Sequence, residues 1–172
     1  IGLCTAAPPP LTTAAISSGW NGWGGTTSNT RYQAAARGGL TAPQVPRLTL
    51  KWAFGFAGVN SARSQPMVVG SRLFVASENG DVYALDAKTG CTYWRYHAKA
   101  GIRTALSAGS YRAGGSTRFG VYFADEAANA YGVDADSGRE LWTRHVDDHP
   151  YAQATGSVAV HDGRVYVPIA GV

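Results

Sequence analysis

A strand, a turn and a tryptophan that occur twice at one spacing constrain this chain most. Tyr83, Asp86, Gly90 and Trp94 recur as Tyr131, Asp134, Gly138 and Trp142, each displaced by 48 residues. Leu73-Phe74-Val75 recurs as Val121-Tyr122-Phe123 with the same displacement, and a third unit starts within "GSVAVHDGRVYVPIAG". A period of roughly 40 to 50 residues with several short strands per unit is the sequence form of propeller blades. In "VYALDAKTG" the strand has two different faces, Asp86 bonds its own turn, and Gly90 supplies positive φ. Trp94 arrives on the next strand, where its face covers the seam between sheets and its indole N–H needs an acceptor. The repeat therefore predicts an all-β fold, a partial β-propeller of about three blades, in which blade stacks on blade because one sheet cannot bury both its faces.

Composition agrees. Of 172 residues, 45% are hydrophobic and only 15% charged, with 22 glycines, nine tyrosines and five tryptophans. That balance points to turns and aromatic-rich strands and excludes a disordered chain. The net charge of +4 comes from arginines scattered singly between Arg31 and Arg164, so no basic stripe for nucleic acid exists. No apolar run approaches the length of a membrane span. "TAAPPPLTTAAISSG", rich in Pro, Ala, Ser and Thr, reads as part of a linker or extended lead-in over residues 1–19, with the propeller domain over 20–172. Apolar alternation at Leu48, Leu50 and Trp52 predicts a strand, which Pro46 suits as its start. The opening at Ile1 without methionine and the run "GRVYVPIAGV" at the other end suggest a piece of a longer polypeptide.

Generic signals of chemistry are weak. "DADSG" resembles the start of a calcium loop but lacks the later ligands, and its equivalence to "DAKTG" makes it a turn device. His97, His145, His149 and His161 lack metal-ligand spacing, and "DDHP" from Asp147 to Pro150 reads as a solvated loop. Neither a G-x-S-x-G nucleophile elbow nor a phosphate-binding G-x-G-x-x-G is present. For Cys4 and Cys91 two readings stand: unrelated thiols, or a disulfide closing about 88 residues, worth roughly 4 to 5 kcal/mol by chain entropy.

"YALDAKTGCTYW", with its looser copy "YGVDADSGRELW", resembles the tryptophan-docking motif of quinoprotein dehydrogenases, eight-bladed propellers that bind pyrroloquinoline quinone (PQQ) and usually calcium. Three further runs, "WNGWGGTTSNTRYQ", "LKWAF" followed by "SQPMVVGSRLFVAS", and "GCTYWRYHAKAGIRTALSAG", are similar to the polyvinyl alcohol dehydrogenase branch. The resemblance implies a periplasmic alcohol dehydrogenase that passes electrons to cytochrome c, with haem c in an associated domain or partner. A non-catalytic propeller with similar repeats, such as an outer-membrane assembly lipoprotein, is the competing expectation.

The resemblance also implies site residues. Arg103 lies in the segment that covers one face of the cofactor and offers a cation to its carboxylates, and Thr155 sits on the quinone's polar edge. Ala170, Gly171 and Val172 form the backbone run before the first calcium-ligating glutamate. That glutamate, the asparagine ligand and the aspartate base would follow Val172, so this chain holds no catalytic or metal-ligating residue of its own and would be inactive alone. The vicinal cysteines that methanol-oxidising relatives hold over the quinone are replaced by Leu106, Ser107 and Ala108. Where those relatives carry an acid before the first Gln-Pro, this chain has Arg63.

Overall fold

The computed structural model describes residues 2–26 and 28–171. Each of the first two repeat units becomes a four-stranded antiparallel sheet. Strands β1 (Met67–Val69), β2 (Arg72–Ala76), β3 (Asp81–Asp86) and β4 (Thr92–His97) pair in chain order. So do β5 (Ser107–Ala113), β6 (Ser116–Ala124), β7 (Asn129–Asp134) and β8 (Glu140–His145). A hairpin of β9 (Ala159–His161) and β10 (Arg164–Tyr166) follows. The all-β partial propeller thus consists of two complete blades and the first two strands of a third.

The recurring aspartate builds the turn between the third and fourth strands. Asp86 Oδ1 accepts from the Thr89 N–H at 2.7 Å and its hydroxyl at 2.8 Å, and Gly90 turns the chain at φ +77°. Asp134 does the same through Ser137, at 2.9 and 2.6 Å, with Gly138 at φ +70°. These glycines are required twice over. A Cβ on Gly138 would lie 2.7 Å from the Trp94 ring, and one on Gly90 would lie 2.7 Å from the Trp52 ring. Trp94 Nε1 donates to the Ala135 carbonyl at 3.0 Å, and Trp52 Nε1 to the equivalent Ala87 carbonyl at 3.3 Å. Each tryptophan is therefore docked in the turn of the blade that follows it.

Both faces of the first blade are buried this way. Phe74, Val82, Ala84 and Trp94 meet Val121, Phe123, Tyr131 and Val133 of the second blade. On the opposite face Val75, Tyr83 and Leu85 are covered by Trp52, Phe54 and Phe56. Arg72 crosses the seam fully buried: it donates to the Ala135 carbonyl and to Asp136, both at 2.7 Å, and to the carbonyl of Pro9.

The residues before Trp20 lie along the first blade. Cys4 and Cys91 form a disulfide, Leu3 bridges Thr92, and Leu11 joins the core. A single helical turn and a half, α1 (Thr13–Ser18), capped by the Thr12 hydroxyl at 3.1 Å, then packs beside β1 and β5. Two local expectations are corrected. Pro46 lies within a 3₁₀ helix, Ala42–Arg47, not at a strand start; the i to i+3 bonds it contains run from Gln44 to Thr41 and from Leu48 to Val45, so Pro46's missing N–H costs nothing. The segment after it is extended and forms no strand pairing among the described residues, with Leu48 and Leu50 exposed and Trp52, Phe54 and Phe56 turned to the blade.

Two outcomes follow for stability. Trp94→Ala removes a side chain that is 7% exposed and its seam hydrogen bond, and lowers the unfolding free energy in urea by about 3 to 5 kcal/mol. Burial alone would raise the Asp134 carboxyl, but hydrogen bonds from Ser137 and Tyr111 and the Arg118 guanidinium outweigh it and hold it below its ordinary 3.8. The folded value lies below the unfolded one, so this stabilisation is complete above the unfolded pKa and lost as pH falls through the folded value. Asp134→Asn should therefore cost stability near neutral pH, and the gap to the parent protein should narrow steadily in unfolding curves taken below about pH 4.

Candidate functional site

Strands β1, β5 and β9 open the three units and lie side by side at one edge, with α1 touching β1 and β5 and β5 touching β9. Their lead-in residues hydrogen-bond from blade to blade. Ser64 Oγ donates to the Thr104 carbonyl at 2.7 Å, the Ala105 N–H donates to Ser157 Oγ at 2.9 Å, and Ser107 Oγ donates to the Val158 carbonyl at 2.7 Å.

The loop "WNGWGG" is fastened across this edge. Trp20 exchanges backbone hydrogen bonds with Val68 on β1, at 2.7 and 3.0 Å. Its neighbour Asn21 uses its side-chain amide at the equivalent residue of β5, donating to the Ala108 carbonyl at 2.9 Å and accepting from the Ala108 N–H at 2.7 Å. The carboxamide thus imitates one more residue of strand. Gly24 is needed beyond it, because a Cβ there would meet the Asn29 backbone at 2.6 Å.

Between this loop and the lead-ins lies a cleft of about 740 Å³, lined among others by Ile16, Trp23, Arg63, Arg103, Ser107 and Thr155. Trp23 is 40% exposed, and the Arg31 guanidinium stands 4.8 Å from its ring centroid. Among the described residues that line the cleft, Arg63 and Arg103 are the charged ones and no carboxylate is present. Arg103 Nη1 lies 3.8 Å from Glu126, and Arg63 Nε 2.9 Å from Glu78. The cleft is cationic, flanked by an aromatic wall and several hydroxyls.

Arg103 and Thr155 thus share one cleft. Ala170 and Gly171 do not line it: Ala170 exchanges two 2.9 Å backbone hydrogen bonds with Gln153, and Gly171 is exposed. Val172 lies outside the described residues. Asn21 carried no sequence signal beyond its place among glycines, and Trp23 was visible only as part of the same run.

Other polar groups are architectural. Asp81 is buried and receives Arg95 at 2.7 Å, His97 at 2.9 Å and Tyr83 at 3.1 Å. Burial would raise its carboxyl, but these hydrogen bonds hold it below the usual range. Asp147 accepts from the His149 N–H at 2.9 Å in an exposed turn. Among the described residues no group of three or more His, Cys, Asp and Glu side chains could hold a metal ion, and no helix is long and apolar enough to cross a membrane.

A family model described as "Outer membrane protein assembly factor BamB" (PQQ_2) matches residues 20–171. The chain belongs to the PQQ_2 family. It is 43% identical over 166 residues to polyvinylalcohol dehydrogenase of Pseudomonas sp, a match taking in 96% of this chain and 25% of that protein. It is 41% identical over 166 residues to polyvinylalcohol dehydrogenase of Sphingopyxis sp. (strain 113P3), with the same coverage of 96% and 25%. The europium-containing methanol dehydrogenase structure superposes with a TM-score of 0.69 at 25% identity, over 90% of this chain and 28% of that one. The chain spans about a quarter of the length of the curated relatives it matches.

The cleft wall has its own test. Asn21→Ala leaves the Ala108 N–H and carbonyl without partners and should cost about 1 to 3 kcal/mol. Loosening of the loop should also raise acrylamide quenching of tryptophan fluorescence at low denaturant, whereas Asn21→Gln should be intermediate.

Proposed function

We propose that this chain is part of a PQQ-dependent dehydrogenase of alcohols, secondary alcohols such as polyvinyl alcohol among them, and that the cleft is the part of its cofactor site carried here. The observation that carries the reading is the convergence of Arg103 and Thr155 on one cationic cleft. The 43% identity to a polyvinylalcohol dehydrogenase supports it. The donor set fits the cofactor: guanidiniums and hydroxyls suit a planar polycarboxylate, an indole suits its ring face, and about 740 Å³ lies within the range of small-molecule sites, roughly 300 to 1,000 Å³.

Bound PQQ would supply a two-electron acceptor for the alcohol. The work of this chain is binding and orientation. Arg103 presents a planar fork of donors to a carboxylate, Thr155 offers a hydroxyl at the polar edge, and Trp23 with Asn21 behind it keeps water from one side. Ala170, with its N–H and carbonyl both engaged by Gln153, and Gly171 stand outside the cleft, and their part in the reading is to lead the backbone from the Thr155 side toward the position where the first metal-ligating glutamate would follow. Calcium, the glutamate and asparagine that would hold it and the aspartate that would serve as base are expected from the family resemblance in residues outside this chain, so this chain by itself is expected to be inactive. Electrons would leave for a cytochrome c, by way of haem c in a domain or partner. The Cys4–Cys91 disulfide supports an oxidising compartment, which the periplasm is. A scaffold role, as the family model's description would suggest, gives no reason for a cleft lined by two arginines and no acid.

The product of the complete reading frame, given PQQ and calcium, should bind the quinone and oxidise secondary alcohols with a dye acceptor. Equilibrium dialysis that finds no bound quinone rejects the reading.

A further inference from the structure

Arg63, Arg103 and Thr155 occupy one position of the architecture. Each stands four residues before the first strand of its unit, ahead of Met67 in β1, Ser107 in β5 and Ala159 in β9. The residue after each arginine is buried and engaged: Ser64 donates to the Thr104 carbonyl at 2.7 Å, and Thr104 Oγ1 to the Ala124 carbonyl at 3.2 Å. All three positions line the same cleft.

The two arginines also share a neighbour. Glu78 and Glu126 are equivalent by the 48-residue displacement, in the turns between the second and third strands of their blades. Glu78 stands 2.9 Å from Arg63 and Glu126 stands 3.8 Å from Arg103. Neither guanidinium makes an aligned hydrogen bond among the described residues, and their side chains are 55% and 37% exposed. An exposed ion pair contributes little to folding. Fixed backbone, guanidiniums that each keep donors beyond a single ion pair at one nitrogen, and a cleft lined by no carboxylate among the described residues together describe a pair of cations held toward a ligand.

We propose that Arg63 is a cofactor-binding residue, a second cation that works with Arg103 on the ligand's carboxylates. The inference rests on the PQQ reading given above. Two guanidiniums from adjacent blades would fix a planar polycarboxylate at two points, setting its rotation in the cleft as well as its place. Thr155, lacking charge at the third equivalent position, leaves that side of the site for a neutral polar edge.

The test is equilibrium binding of PQQ, without turnover, to the product of the complete reading frame. Arg63→Gln should weaken binding about tenfold and reduce its salt dependence, as loss of one charge-assisted contact requires. Arg63→Lys should recover part of the affinity. Glu78→Gln, which removes the neighbouring carboxylate and keeps the cation, should bind at least as tightly as the parent. If the Arg63–Glu78 pair is only structural, Arg63→Gln and Glu78→Gln will lower the melting temperature alike and leave affinity within twofold, which overturns the proposal while leaving the PQQ reading intact. Absence of quinone binding to the parent protein itself overturns both.

Discussion

The contact between a tryptophan and the glycine of the next blade's turn is what the rest of the molecule depends on. Trp94 against Gly138, with its indole N–H on the Ala135 carbonyl, closes the seam between the first two sheets. The same carbonyl accepts from the buried Arg72, so one backbone group is held from two strands of the preceding blade. Because Trp52 repeats the contact at Gly90 and Ala87, the segment before the first blade occupies the place of a blade's outermost strand, although it forms no strand pairing among the described residues. Sheets with two apolar faces are stable only in series, and this contact sets the interval of the series.

That interval brings the first strands of successive units together at one edge. Ties across the edge differ in kind but fall at equivalent residues: backbone to backbone at Val68, side chain to backbone at Ala108. The disulfide fixes the same N-terminal segment far from the edge, at the start of β4, so the segment is held at both ends with Leu11 and α1 between. Closing a loop of that length removes considerable freedom from the unfolded chain. The loop bearing Trp23 inherits a fixed starting point from this arrangement, and its glycines let it bend, Gly22 and Gly25 at positive φ and Gly24 against Asn29.

Much of this was legible in the repeat. Asp86, Gly90 and Trp94 announced turn and seam because each function needs one residue type at one spacing. Arg103 and Thr155 were legible through resemblance alone, and their meeting in one cleft required the fold. The equivalence of Arg63 with them was hidden by a change of period. Arg63 and Arg103 are 40 residues apart, while Asp86 and Asp134 are 48 apart, because β5 and β6, of 7 and 9 residues, replace the shorter β1 and β2, of 3 and 5. A longer hairpin shifts everything after it without moving the lead-in in space. Asn21 was illegible for another reason, since a side chain that imitates backbone has no periodicity. Arg72, an arginine in the middle of an apolar run, could not be read as buried until the carbonyls of Pro9 and Ala135 were seen to converge on it.

The two ends of each sheet treat their polar groups differently, and the site follows from that difference. At the end carrying Asp86 and Asp134, side chains spend their hydrogen bonds within their own turns, and even Tyr93 and Tyr111 donate to these carboxylates. Little is left there for a ligand. At the lead-in end the blades instead satisfy one another through small hydroxyls: Ser64, Ser107 and Ser157 serve the backbone of the adjacent unit. Short side chains therefore complete the backbone's needs, and the long or branched neighbours at the equivalent positions, Arg63, Arg103 and Thr155, are not required for it. A propeller in which larger residues had to fulfil those interblade bonds would hold together equally well, yet it would present no donors to the cleft. The donors that line the cleft at this edge are a consequence of economy in how the seam is satisfied.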